Sequence, residues 1–256
     1  MLLNTKKHRE NLYLYLDKLD LITPIKPALK NGKLKISFPA WDSIWIYTHP
    51  DFASRCLLYH HVFFEEYKHI HSYCRNCYKV VVKPRNIVEQ FNLYEIQREI
   101  GCACKCGMEV RHTTNNLWGG YFYNRGLEAG REKYREVREL VNKHLSPETP
   151  VILKRYCTEF ELGPDGLGPS DKTPDVTPEE RQWELEVEAM FPNNNGMGGG
   201  QPIPVQAYVM KNWIHYAFEK HDETYLELTG GVPLMPPYVM YHKDIEEEMK
   251  NDSDNS

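Results

Sequence analysis

Apolar positions recur along this chain with two different periods, and the switches between them outline its elements. In HRENLYLYLDKLDLI, Leu12, Leu16 and Leu19 fall at near-helical intervals until Thr23 and Pro24 interrupt the run, which predicts a short helix. Gly32 turns the chain into KLKISFPAWDSIWIYTH, where Leu34, Ile36 and Phe38 alternate with polar residues as in a strand with one buried face. Trp41, Trp45 and Tyr47 follow, a density of rings that points to core. Residues 51 to 71 read as helix and end at the first cysteine pair. YKVVVKP then predicts a strand stopped by Pro84, and Asn86 with Glu89 predicts a capping box that opens a helix running to about Ile100.

The most regular helix is LEAGREKYREVRELVNKHL. At about 100° per residue, Leu127, Tyr134, Val137, Val141 and Leu145 share one arc, with Arg131, Arg135 and Arg138 on a stripe beside it and glutamates beyond. Pro147 and Pro150 end it. VILKRYCTEFEL has the content of a strand, and alternation along it puts Arg155, Cys157, Glu159 and Glu161 on one face. Gly163 to Pro178 and Pro192 to Pro204 are rich in turn-forming residues, an acidic helix lies between them, and VQAYVMKNWIHYAFEKH predicts a buried helix.

Together these readings predict an α+β fold of mixed small sheets and helices. Residues 1–162 would form a basic α+β domain, 163–204 a loop, acidic helix and Gly/Asn/Pro linker, 205–243 a helical segment packed on the main domain, and 244–256 an acidic tail. No run approaches the roughly 18 apolar residues of a membrane helix, and charges occupy the place of a signal peptide's apolar region. A cytoplasmic protein is expected, or a nuclear one in a eukaryotic host, neither secreted nor in contact with membrane.

Charge and cysteine usage add candidate chemistry. The net charge of −5 divides into 25 Lys and Arg against 16 Asp and Glu over residues 1–158, and 6 against 20 over the remainder. A basic front concentrates polyanions, so nucleic acid, DNA included, is the expected partner. Lys79, Lys83 and Arg85, joined by the Arg131, Arg135 and Arg138 stripe, are the candidates to follow a phosphate backbone, with Tyr73 and Tyr78 available to stack on bases.

Five of the seven cysteines crowd into the 33 residues from Cys74 to Cys106, a spacing that suits metal binding better than a disulfide framework. Cys74 and Cys77 form a C-x-x-C knuckle, and Cys104 and Cys106 before Gly107, with Cys102 as substitute, supply the second half of a structural zinc site. His69 and His71 are further donors, and an iron–sulfur cluster is the other metal reading. The knuckle and the strand after it resemble a treble-clef or zinc-ribbon module over about residues 72–111, with C-x-C-x-C replacing the second C-x-x-C. Cys56 and Cys157 read as buried small apolar residues.

The functional expectation is a zinc-stabilised protein that contacts nucleic acid. The alternative is an enzyme acting on nucleic acid or nucleotides by base modification or phosphoester chemistry. It would use Glu159 and Glu161, with Asp171 and Lys172 on a glycine-rich loop and Mg²⁺ as a possible ion. A protein-interaction adaptor is the third class. The phosphate-binding loop, dinucleotide and zinc-deaminase patterns are all absent from the sequence.

Overall fold

Three consecutive valines, Val80, Val81 and Val82, are each at most 3% exposed, as the middle of a sheet covered on both faces requires. They belong to β4 (Cys77–Val82) in a sheet whose other strands are β3 (Trp45–Tyr47), β5 (Cys104–Met108), β6 (Trp118–Arg125) and β7 (Val151–Arg155). The strand order is β3-β5-β6-β4-β7, and every neighbouring pair is antiparallel. A separate hairpin pairs β1 (Ala28–Lys30) with β2 (Lys33–Lys35). This computed structural model describes residues 28–30, 33–35, 44–48, 56, 58–111, 114–162, 175–190 and 201–234. The expected first helix, Trp41, the 163–174 loop with Ser170, Asp171 and Lys172, the 191–200 stretch and the acidic tail lie outside those residues.

Register decides which side chains share a face. Phe122 pairs with both Val80 and Cys104, and Gly120 with both Val82 and Cys106. These residues face one way, together with Ile46 opposite Cys106. They join the larger core with side chains of α3 (Ile87–Ile100), α4 (Leu127–His144) and α7 (Ile203–Glu219), among them Leu93, Val137, Val141 and Trp213. The opposite face takes the intervening residues: Cys77 and Lys79 on β4, Tyr121 and Tyr123 on β6, Lys105 on β5, and Trp45 and Tyr47 on β3.

The helices begin and end where their sequences allow. Asn86 caps α3 by accepting the Glu89 N–H at 2.9 Å. Glu89 in turn accepts the Arg85 N–H, one residue earlier than a capping box requires. Gly101, at φ 63°, closes the helix in the left-handed conformation that glycine adopts without penalty. On α4, Val137 and Val141 are buried as expected, while Leu127 at the first position is 38% exposed. Helix α7 is tied to the sheet edge where Trp213 Nε1 donates to the Ile44 carbonyl at 3.1 Å.

A second core gathers Leu58, Tyr59, Phe63, Cys74, Tyr156, Phe160 and Val187. They come from α1 (Tyr59–Glu66, a π-helix), α2 (Ser72–Arg75), the bend after β7, α5 (Thr158–Leu162) and α6 (Pro178–Met190). The helix expected across residues 51–71 is thus described as a π-helical segment, and i→i+5 winding of this kind is frequent near functional residues.

Gly107 carries a packing constraint. It lies against β3, where a Cβ would strike the Ile44 carbonyl and sit 2.8 Å from the Trp45 ring. Gly107→Ala should therefore cost about 1–3 kcal/mol by overpacking. Urea unfolding followed by circular dichroism measures this, and a loss below about 0.5 kcal/mol would mean that β3 yields freely.

Candidate metal and thiol site

Cys157 is presented by a break in the chain. β7 stops at Arg155, and Tyr156 adopts φ 68°, a left-handed conformation uncommon for an aromatic residue. Its N–H donates to the Cys77 carbonyl at 3.1 Å, and Arg155 Nε donates to the Arg75 carbonyl at 2.6 Å, so the bend is stitched to the C-x-x-C turn. The chain then enters α5, whose Phe160 and Glu161 N–H groups both donate to the Cys157 carbonyl. The continuous strand expected through residue 162 is thereby corrected. Glu159 and Glu161 sit on a helical turn and face different cations, Arg111 at 3.5 Å and Lys154 at 2.8 Å respectively. They do not form a carboxylate pair.

The bend brings Cys157 to a group that the sequence did not suggest. Lys79, only 4% exposed, donates from Nζ to Cys157 Sγ at 2.7 Å. One ligand atom each from His60, Cys157 and Glu159 lies within 4.8 Å of the others. Burial alone would raise the Cys157 thiol, but the Lys79 charge and a hydrogen bond from His60 hold it down to about 6. Burial alone would lower Lys79, and the surrounding thiols more than reverse that.

The knuckle thiols are part of the same neighbourhood. Burial raises Cys74 well above an ordinary thiol, and Cys157, Cys56 and Cys77 press it further in the same direction. Cys56 is raised to about 12 by burial and then by Cys157 and Cys77, and Cys77 to about 11 by burial and Cys157 against the pull of Lys79. Cys157 is thus ionised near neutral pH, while these three thiols stay protonated.

The expected partners of Cys74 and Cys77 are elsewhere. Cys77 lies three positions from Val80 and points away from the larger core, whereas Cys104 and Cys106 point into it. Cys104 shares a 2.6 Å hydrogen bond with the Thr48 hydroxyl and reaches the Cys102 carbonyl at 3.1 Å. The sheet separates the two halves of the expected zinc site, and the second half serves as core. Among the described residues, His60, Cys157 and Glu159 are the one group of three donors gathered closely enough for an ion. His69 and His71 are engaged by Glu184 and Glu188.

The sheet divides the expected nucleic-acid residues too. Lys79 is buried on the face away from α4, while Arg131, Arg135 and Arg138 belong to α4. There Arg131 pairs with Glu128, and Arg138 donates to the Thr149 and Ser146 carbonyls at 2.7 and 3.1 Å. Arg85 pairs with Glu89 and Glu148, and Lys83 lies just past the end of β4. Lys79 therefore stands apart from the α4 stripe.

Alternation in β4 and the C-x-x-C spacing were sufficient to place Lys79 beside Cys77. The arrival of Cys157 and His60 depends on the Tyr156 bend and the π-helix, neither of which has a pattern in the sequence. Among the described residues no helix is long and apolar enough to cross a membrane. No family model, no curated protein and no solved structure matches this chain.

A carboxylate lock holds α6 beside this site. Glu184 accepts from Ser72 N–H at 2.7 Å and Ser72 Oγ at 2.5 Å, pairs with Arg181 at 2.8 Å, and lies 2.8 Å from His69 Nε2. Burial would raise its carboxyl, but these bonds outweigh burial and hold it at about 2. A carboxyl with a depressed folded value stabilises above its ordinary value of 4.5, and that stability is lost as pH falls toward about 2. Wild type should lose stability over that interval. Glu184→Gln should be less stable at pH 7 and flatter below 4.5, and equal slopes in pH-dependent denaturation would refute the lock.

Proposed function

We propose that the protein binds a metal ion beside Lys79 through His60, Cys157 and Glu159. The observation that carries this reading is the gathering of one ligand atom from each of the three within 4.8 Å of the others. Imidazole, thiolate and carboxylate donors suit Zn²⁺, and three of them leave its fourth position open. The Lys79 ammonium would act as a hydrogen-bond donor to the ligating sulfur. Such an ion would fasten α1, the β7–α5 bend and α5 to one another.

The same His60, Cys157 and Glu159 group favours a second reading, in which no ion is bound. A thiolate with an imidazole beside it and a carboxylate close to both has the ingredients of a cysteine nucleophile. This keeps Glu159 at the centre of the enzyme alternative, with Cys157 in place of Glu161 as its chemical partner.

Metal analysis of the purified full chain separates the two. The metal reading expects about one equivalent of zinc, lost in His60→Ala and Cys157→Ser and retained in Cys104→Ala and Cys106→Ala. Less than about half an equivalent in wild type, with iodoacetamide alkylating Cys157 ahead of the other thiols near neutral pH, would reject the metal and favour the nucleophile.

A further inference from the structure

Lys105 is the polar group on this face that the thiol cluster does not use. It lies on β5, between β3 and β6, and its ammonium is enclosed by rings: Nζ is 4.1 Å from the Trp45 centroid, 5.5 Å from Tyr121 and 6.0 Å from Tyr47. Ring faces attract a cation, but they give its N–H groups no lone pair to bond. Among the described residues no oxygen or sulfur acceptor stands within hydrogen-bonding distance of Nζ. Lys154, also half-buried, has both the Thr158 hydroxyl and Glu161.

The surroundings of Lys105 make it short of negative charge. Burial, and then the charges of Lys79 and Arg111, push its ammonium down to about 8, with Cys157 and Cys56 only partly opposing them. Arg111 lies on the same Tyr121 ring, 6.0 Å from its centroid. Its Nε and Nη2 are taken by Glu109, and Nη2 also donates to the Tyr121 hydroxyl at 2.7 Å. The remaining Nη1 faces Glu159 at 3.5 Å, a loose contact with a carboxylate that is 43% exposed. Two cations thus lie within 6.0 Å of one ring's centroid, each with donors left over.

We propose that Lys105 and Arg111 form a binding site for the oxyanion of a small ligand, a phosphate group above all, with Trp45 and Tyr121 as its walls. The oxyanion accepts from Lys105 Nζ and Arg111 Nη1 and takes over the contact that Glu159 makes loosely. Charge-assisted bonds of this kind are strong where water is partly excluded. The phosphate is either free or the end of a larger molecule such as a nucleotide. The site stands apart from the metal reading in its donors: an oxyanion replaces Glu159 at Arg111, and Glu159 keeps its place beside His60 and Cys157.

Isothermal titration of the purified full chain with inorganic phosphate, adenosine 5′-monophosphate and adenosine tests this. Saturable binding of phosphate or of the monophosphate, with none of adenosine, is the expected result, and the stronger of the two identifies the source of the oxyanion. Lys105→Met should weaken binding by about 10- to 100-fold, the value of one charge-assisted bond, while Lys105→Arg retains most of it. Circular dichroism confirms that both variants are folded. Absence of saturable binding of either phosphate compound up to about 10 mM, or undiminished affinity in a folded Lys105→Met variant, overturns the site.

Discussion

The ammonium of Lys79 lies against the Cys157 sulfur at 2.7 Å on a side chain with almost no exposure, and much of this face is organised around that pair. A buried cation without an anion is costly enough that a chain would sooner neutralise it or move it to water. β4 cannot move it, because Val80 and Val82, which follow it on the strand, belong to the larger core and fix the register. The anion has to come to Lys79. That requirement gives a physical reason for β7 to end in the unusual Tyr156 conformation, which turns Cys157 toward the sheet while the Tyr156 N–H stays bonded to Cys77.

The same alternation explains why the cysteines divide as they do. A strand sends successive side chains to opposite faces, so Cys104 and Cys106 share one face and Lys105 takes the other. The two cysteines are small apolar residues against α3, and Cys104 is further satisfied by Thr48. Lys105 sits among rings on the face that holds the thiol cluster. A C-x-C pair on a strand therefore puts both sulfurs on one face, here the face that the helices cover.

Much of the fold was legible in the sequence because it rests on local patterns. The valines of β4, the Asn86 cap and the arc of Val137 and Val141 all follow from spacing and side-chain chemistry within a few residues. What the sequence concealed depends on contacts distant along the chain. Cys157 stands alone among apolar neighbours in the sequence, and only the tertiary structure brings it to Lys79 and His60. Glu159 was singled out, but through a strand alternation that Tyr156 interrupts; its place beside His60 and Cys157 comes from the helical turn that follows. The arginine stripe on α4 was read correctly as a stripe, yet Arg138 is bound to the backbone after the helix and Arg131 to its own Glu128, so spacing overstated its freedom.

Charge on the Lys79 face links its two proposed sites without making either depend on the other. Lys79 is matched by Cys157 and Arg111 by Glu109, two pairs that neutralise themselves. Lys105 has rings and no matching anion, while Glu159 sits loosely between Arg111 and the His60–Cys157 pair. A divalent ion bound by Cys157, Glu159 and a neutral His60 would carry no net charge, so it would add nothing negative near Lys105. An oxyanion at Lys105 supplies both the charge and the hydrogen-bond acceptor that the rings cannot. A metal centre therefore leaves the deficit of Lys105 unmet, and only a ligand carrying lone pairs relieves it.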